Sequence, residues 1–138
     1  MAMTFAIDPR LEADTIPLGD MALSRVLLMN DSRFPWLVLV PRRAGLVEIT
    51  DLTPFERRAL FEEAALAVDR LKHLTGAKKI NLGALGNIVS QLHFHVVARF
   101  ETDAAWPGPV WGAGVAKPYD DPQPMLDRFR RALTPDVS

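Results

Sequence analysis

The sequence predicts an α+β fold in which an antiparallel sheet of about five strands carries one long helix and a C-terminal helix. Three observations predict it: an apolar hairpin over residues 24–40, a capped amphipathic helix over 54–75, and a second hairpin over 80–99. A hairpin, one long helix and another hairpin in this order favour an antiparallel sheet. With 138 residues, the chain is expected to form one domain over residues 1–138.

Two short elements precede and form the first hairpin. Asp8 in the N-cap position and Pro9 at the first helical position predict a helix over residues 8–14. An extended piece over 15–18 follows, and Gly19 with Asp20 is expected to turn it. Strands are predicted over Ser24–Met29 and over residues 36–40, because both stretches are apolar and are bounded by turn residues or proline. The hairpin tip is polar and contains Asn30, Asp31, Ser32 and Arg33.

The long helix has the clearest local signals. Thr53 and Glu56 have the spacing of a capping box, with Pro54 at the first helical position. A stripe of leucine and alanine follows at helical spacing, and Gly76 is a natural C-terminal stop. The sequence therefore predicts a helix over residues 54–75 that buries its apolar stripe in the core or in a dimer interface.

The most informative stretch is residues 80–100. Residues 80–86 are predicted to form a strand, and residues 89–99 a second one, since apolar and polar residues alternate there. One face of the second strand, with Leu92 and Phe94, is expected to enter the core. The other face carries Gln91, His93, His95, Val97 and Arg99. The turn at Gly86 and Asn87 feeds this polar face, and such a loop is suited to hold a phosphate.

The composition of the chain excludes several classes of site and partner. The formal net charge is −1, so no electrostatic footprint for nucleic acid is present. The chain has no cysteine, which removes disulfides, thiol nucleophiles and cysteine-ligated zinc sites. Asp8, Pro9 and Arg10 come before any apolar run of signal-peptide length, and no run approaches the roughly 18 apolar residues of a membrane span. We expect a cytoplasmic protein without a membrane or nucleic-acid partner.

Residues 101–138 differ in composition from the preceding part of the chain. The part up to residue 124 is rich in proline and glycine, yet contains Trp106, Trp111 and Tyr119. It is too interrupted for a regular element and too aromatic for plain disorder. We expect an ordered loop that covers either the polar strand face or a second subunit. A short amphipathic helix is predicted over residues 124–133.

Two histidines on one strand face allow three interpretations. They can ligate a metal, although a site of three or four ligands needs partners that Gln91 and Arg99 do not supply. They can be structural polar residues. They can also act on phosphorus, because a neutral imidazole is a good nucleophile and a histidine with the reference pKa of about 6.5 is mostly neutral near pH 7. Arg99 fits a salt bridge at the strand end and a substrate contact equally well.

Residues 81–99 resemble the signature of the histidine triad (HIT) family, in which an asparagine and a glycine-rich turn precede His-φ-His-φ-His-φ-φ, φ being apolar. Here the motif is Gln91-Leu-His93-Phe-His95-Val-Val97. The hairpin around Asn30 and the position of the long helix agree with the family as well. The resemblance implies hydrolysis or transfer of nucleotides without a metal or other cofactor, in a homodimer that shares the long helix and a continuous sheet.

The resemblance also implies residue roles. His93 matches the nucleophile that attacks the α-phosphate and forms a nucleotidyl-histidine, and His95 matches the histidine that contacts the phosphate. Asn30, with Asp31 as a second choice, matches the ribose-binding position. Asn81, Gly86 and Asn87 match the phosphate-site segment. The implied substrates are dinucleoside polyphosphates or nucleoside phosphoramidates.

Two departures from the motif bear on activity. Gln91 occupies the position of the first motif histidine, and glutamine can form hydrogen bonds but cannot titrate. Ile88 stands where family members commonly have a serine or threonine. We expect weakened rather than abolished activity, and the alternative is a nucleotide-binding module that has lost turnover.

Overall fold

The α+β architecture predicted from the sequence is confirmed by a computed structural model that describes residues 4–138. Five antiparallel strands form one sheet in the order β1-β2-β3-β5-β4. Within residues 4–138, no helix is both long and apolar enough to cross a membrane. The elements are α1 (Pro9–Asp14), β1 (Thr15–Asp20), β2 (Ser24–Met29), β3 (Trp36–Pro41), a 3-10 helix (Ile49–Asp51), α2 (Pro54–Thr75), β4 (Lys79–Gly83), β5 (Phe94–Arg99) and α3 (Gln123–Leu133).

The predicted helix boundaries follow from their caps. The Asp8 carboxylate accepts a hydrogen bond from the Arg10 backbone N–H at the start of α1. At the start of α2, the side chains of Thr53 and Glu56 each accept from the other residue's backbone N–H, which completes the capping box. Gly76 ends α2 in the left-handed conformation with φ of 68°, where a side chain would be strained.

The sheet is covered on both faces. One face packs against α2 and α3, and its buried residues include Leu28, Leu39 and Val96. The opposite face buries Val38 and Val97 in a second cluster that also contains Leu11 of α1, Phe34 and Val110. Buried apolar area on both faces holds the sheet between two layers.

Three boundary predictions were wrong. The strand predicted over residues 89–99 begins only at Phe94, because its pairing with β3 starts there, and Gln91 and His93 precede it. β4 ends at Gly83 rather than at residue 86. Gly19 and Asp20 belong to β1, whose register shifts between Pro17 and Gly19, instead of turning the chain. Alternation alone could not locate these ends, since a strand also needs a partner for its backbone groups.

The histidine face of β5 is not half-buried as predicted: all six strand residues are buried. The loop of residues 101–118, here called the aromatic loop, covers this face. This is one of the two placements predicted for it. A buried ion pair anchors the loop. Asp103 Oδ2 accepts from Arg99 Nε at 2.8 Å, and both side chains are at most 4% exposed. Trp106 lies over the Arg99 guanidinium at 5.8 Å.

Both oxygens of the Asp103 carboxylate in this ion pair have hydrogen-bond donors. Burial by itself raises the pKa of Asp103, but the Arg99 guanidinium and the backbone N–H groups of Phe100, Ala105 and Trp106 hold it well below its ordinary value. Arg99 also donates to the Gly108 carbonyl at 2.7 Å, so one guanidinium joins the end of β5 to two points of the loop.

We predict that Arg99→Met lowers the free energy of unfolding by about 3–5 kcal/mol, because it leaves the Asp103 carboxylate buried without its cation. Urea denaturation followed by tryptophan fluorescence measures the loss. Lys78→Met is the matched control, since Lys78 pairs with Glu101 nearby but both side chains are more than 60% exposed. Equal stability of Arg99→Met and wild type would show that the pair does not anchor the loop.

Candidate functional site

A cleft of about 660 Å³ opens beside the end of β5, within the size range of small-molecule sites. Five parts of the chain line it: α1, the β2–β3 turn with the adjoining ends of both strands, the connection from β4 to β5, the start of β5, and the aromatic loop. The lining residues are Leu11, Ala13, Asp14, Met29, Asn30, Asp31, Arg33, Trp36, Leu85, Gly86, Asn87, Ile88, Val89, His93, His95, Val110, Trp111, Gly112, Ala113, Gly114, Ala116 and Pro118.

His93 lies just before β5, and its ring is held by the backbone. Its Nδ1 is 2.6 Å from the Gln91 carbonyl oxygen. A carbonyl can only accept a hydrogen bond, so Nδ1 carries the ring proton. In the neutral ring the lone pair is therefore on Nε2. An imidazole in this tautomer at the wall of a cleft has the form that a nucleophile needs.

His95 lies two residues further, within β5, and is held in the opposite way. It faces Val38 across the β3–β5 ladder, and Trp36 is its diagonal neighbour on the same face. The Trp36 indole donates from Nε1 to His95 Nδ1 at 3.0 Å. Because an indole N–H is only a donor, Nδ1 must be an acceptor. The neutral His95 ring then carries its proton on Nε2.

Both rings are only 6% exposed, and they contact each other edge-to-face with centroids 4.7 Å apart. Trp111 of the aromatic loop packs against His95 at 5.5 Å. Gly83, paired with His95 across the sheet, makes room for this indole, because a Cβ there would lie 3.2 Å from Trp111 Cη2. Burial, and next the neighbouring His93, lower the pKa of His95 to about 3. His95 is therefore uncharged at neutral pH.

The Gln91 side chain does not line the cleft. Its Oε1 accepts from the Asp8 backbone N–H and its Nε2 donates to the Ala6 carbonyl, each at 2.8 Å. The carboxamide thus fixes the segment that leads into α1, and α1 forms part of the cleft wall. The contribution of Gln91 to the nucleophile position comes from its backbone carbonyl, which binds His93.

Four of the predicted binding residues meet at the cleft. Asn30 lines it and accepts from the Tyr119 backbone N–H at 3.0 Å. Asp31 is bound by Arg33 through two hydrogen bonds of 3.0 and 2.8 Å. Burial alone would raise the pKa of Asp31, but Arg33 and backbone donors lower it. Gly86 and Asn87 form the opposite wall.

The structure does not bring Arg99 and Asn81 to the cleft. Arg99 is 2% exposed, and its donors are used by Asp103, Gly108 and the Asn81 Oδ1, the last at 2.7 Å. The sequence fitted a salt bridge and a substrate contact equally well for Arg99, and the structure forms the salt bridge. The two side chains are diagonal neighbours across β4 and β5, so they bond to each other under the aromatic loop.

Several lining residues were not predicted. Trp36 was assigned only to a strand, although it shares parity with Val38 and Val40, which face the same layer. A correct pairing of β3 with β5 would have placed it beside His95. Arg33 was taken as part of a polar tip, whereas it pairs with Asp31 and donates to the Ala113 carbonyl at 2.7 Å. Asp14 had no local signal.

For the metal interpretation, His93 and His95 need further ligands. Among residues 4–138, no group of three or more His, Cys, Asp or Glu side chains is placed to hold a metal ion. The two Nδ1 atoms are also occupied by Gln91 and Trp36.

Comparison with known proteins agrees with the fold and the motif. The HIT domain family matches residues 10–102. Solved histidine triad proteins from Sinorhizobium meliloti 1021 and Bradyrhizobium japonicum are 50% and 41% identical, with TM-scores of 0.89 and 0.90. The alignments cover 97% and 99% of this chain and 98% and 100% of those chains. A histidine triad protein from Marinobacter aquaeolei VT8 is 40% identical, with coverage of 98% and 97% and a TM-score of 0.89. No curated protein matches the chain.

The sheet, the paired histidines and the family match define a protein of the histidine triad class, whose members are of the nucleotide-binding or nucleotide-hydrolase type. The chain belongs to the histidine triad family.

The buried neutral state of His95 predicts a pH-dependent stability. The unfolded chain binds a proton at this residue near the ordinary pKa of 6.5, whereas the folded chain binds it only near about 3. The contribution of His95 to the free energy of unfolding is therefore fully present above pH 6.5. It decreases as the pH falls, by at most about 1.4 kcal/mol per pH unit.

Urea denaturation between pH 7 and 5 checks this expectation, above the range in which most carboxylates titrate. We expect a smaller pH slope in His95→Asn than in wild type. His73→Asn is the matched control because His73 is on the surface, with its side chain 80% exposed, and it should keep the wild-type slope. The same slope in all three proteins would contradict a buried uncharged His95.

Proposed function

We propose that this protein is a nucleotidyl hydrolase or transferase that acts on the α-phosphate of a nucleotide through a covalent adduct on His93. The observation that supports this most is the hydrogen bond from His93 Nδ1 to the Gln91 carbonyl, since it leaves Nε2 as the free nucleophilic nitrogen. The substrate is a dinucleoside polyphosphate or a nucleoside phosphoramidate, the two classes implied by the family resemblance.

The reaction has two displacements at phosphorus. His93 Nε2 attacks, an N–P bond forms, and the bond to the leaving group breaks with its electron pair. Water then attacks the same phosphorus and gives one proton to the solvent, the N–P electron pair returns to Nε2, and the nucleoside monophosphate is released. His95 donates from Nε2–H to a non-bridging oxygen, which stabilises the charge that develops there.

The charges of the cleft bear on how the phosphate is held. Arg33 is the one cationic side chain among the lining residues, and its guanidinium is already bonded to Asp31 and Ala113. Binding of the phosphate therefore depends on neutral donors, namely His95, the Asn87 amide and backbone N–H groups beside Gly86. Such donors stabilise an oxyanion in a water-poor site without an opposing full charge.

The alternative function is nucleotide binding with weak or lost turnover. It is favoured by the Gln91 side chain, which is committed to Ala6 and Asp8 and cannot move a proton. Ile88, at the position where family members commonly have a serine or threonine, borders the cleft with an apolar side chain. Both functions include nucleotide binding, and only the hydrolase forms an adduct.

We predict that wild type forms a nucleotidyl adduct in a single turnover with diadenosine tetraphosphate or adenosine phosphoramidate, with chelator present, and that His93→Ala forms none. Rapid acid quench and intact-protein mass spectrometry measure the adduct. His73→Ala, which changes a surface histidine, should behave as wild type. Nucleotide binding without adduct or product would favour the alternative, and equal turnover by His93→Ala would exclude the catalytic assignment.

We further propose that the protein is a homodimer, as the family resemblance implies. β4 is a free edge of the sheet, and edge strands readily pair with another chain. Large apolar side chains are exposed on β4 and on α2, the helix in contact with β4: Phe55 by 75% and Phe61 by 47% on α2, and Leu82 by 46% on β4. A second copy that uses the same face would bury all three around a two-fold axis.

We predict that the double variant Phe55→Ser/Phe61→Ser is monomeric where wild type is dimeric, because it removes apolar area from this face. Sedimentation velocity at micromolar concentration measures the difference. Val115→Ser is the control, since Val115 is 86% exposed on the aromatic loop away from that face. A monomeric wild type, or an unchanged dimer in the double variant, would exclude this interface.

A further inference from the structure

The two histidines of the cleft are held in opposite tautomers by partners of opposite character. The Gln91 carbonyl accepts from His93 Nδ1 at 2.6 Å, whereas the Trp36 indole donates to His95 Nδ1 at 3.0 Å. One ring therefore presents a lone pair at Nε2 and the other presents an N–H. Because the two rings are in contact, this division places a nucleophile and a hydrogen-bond donor side by side.

The Trp36 side chain is held in place by its neighbours, so it can determine the tautomer of His95. It is 7% exposed, faces Val97 in the β3–β5 ladder, and packs edge-to-face on both Phe34 and His95. Protonation of His95 would place an Nδ1–H directly against the indole N–H. The geometry therefore opposes a charged His95 in addition to the effect of burial.

Among the cleft-lining residues of the described part of the chain, none is then suited to protonate a leaving group near neutral pH. His95 keeps its single proton on Nε2 as a neutral ring, and Gln91 cannot titrate. The charged side chains that line the cleft are Asp14 from α1 and the Asp31–Arg33 pair from the β2–β3 turn. A carboxylate is only an acceptor, and a guanidinium does not release its proton.

We propose that Trp36 is a positioning residue that holds His95 as a neutral Nε2–H donor, so that the site expels leaving groups which depart as anions without receiving a proton. The inference rests on the proposed function, because it concerns the displacement by His93. The P–O bond breaks with its electron pair on the leaving oxygen, and the Nδ1 proton of His93 stays bonded to the Gln91 carbonyl. Of the two proposed substrate classes, the phosphate anhydride fits this chemistry, whereas a phosphoramidate needs its nitrogen protonated by solvent.

Nitrogen-15 NMR of the histidine-labelled full chain tests the role of Trp36, since the sequence has three histidines. We expect His93 to be protonated at Nδ1, and His95 at Nε2 without titrating between pH 8 and 5. In Trp36→Phe, which keeps an aromatic ring and removes the donor, the neutral His95 ring should share its proton between Nδ1 and Nε2, because burial remains and only the bond that selects the tautomer is lost. Trp106→Phe, a tryptophan outside the cleft lining, should keep the wild-type spectrum.

A proton on His95 Nδ1 in wild type, or an unchanged His95 in Trp36→Phe, would overturn the assignment to Trp36. The wild-type spectrum decides the tautomer even where the variant does not fold.

A leaving-group comparison tests the second half of the proposal. The probes are the 4-nitrophenyl and phenyl esters of adenosine monophosphate, and the measured quantity is the single-turnover rate of adduct formation. We expect the nitrophenyl ester, whose phenolate is the better leaving anion, to react faster by on the order of a hundredfold, since no general acid assists the poorer one.

Diadenosine tetraphosphate should likewise form the adduct faster than adenosine phosphoramidate. Equal rates for the two aryl esters would overturn the leaving-group rule while leaving the His93 adduct intact. Absence of an adduct with every probe would instead exclude the proposed function.

Discussion

The buried ion pair between Arg99 and Asp103 is the contact on which the site depends. Two charges away from water are expensive unless their hydrogen bonds are complete, and a pair with one partner removed is strongly destabilising. Here each guanidinium nitrogen has an acceptor, because Asn81 and Gly108 also accept from Arg99, and backbone N–H groups surround the carboxylate. The pair thereby holds the aromatic loop against the histidine face of the sheet.

The loop converts an ordinary polar strand face into a water-poor wall. Trp111 from the loop and Trp36 from the neighbouring strand flank His95 on either side. Burial of a polar ring is tolerated because its nitrogen has a fixed donor, and the same donor selects the tautomer. The packing, the charge state and the chemical role of His95 thus all follow from its contacts with these two indoles. A conservative change of either indole acts on all three.

Local signals in the sequence located most elements, and long-range pairings decided the rest. The caps at Asp8, Thr53 and Gly76 marked the helices, because each depends on a few neighbouring residues. The beginning of β5 at Phe94 could not be found in this way, since it is set by where β3 offers a partner. The same limit explains the site: the motif identified His93 and His95, but Trp36 and Arg33 come from distant parts of the chain.

The bonds of Gln91 have a consequence for which side chains position 91 can carry. A carboxamide presents a donor and an acceptor from one terminal carbon, and here it holds the backbone on both sides of Ile7. An imidazole at position 91 would present its two nitrogens in diverging directions, so it could not replace both bonds. A histidine at position 91 would therefore release the chain entering α1, so the wall of the cleft requires the carboxamide whatever its part in the chemistry.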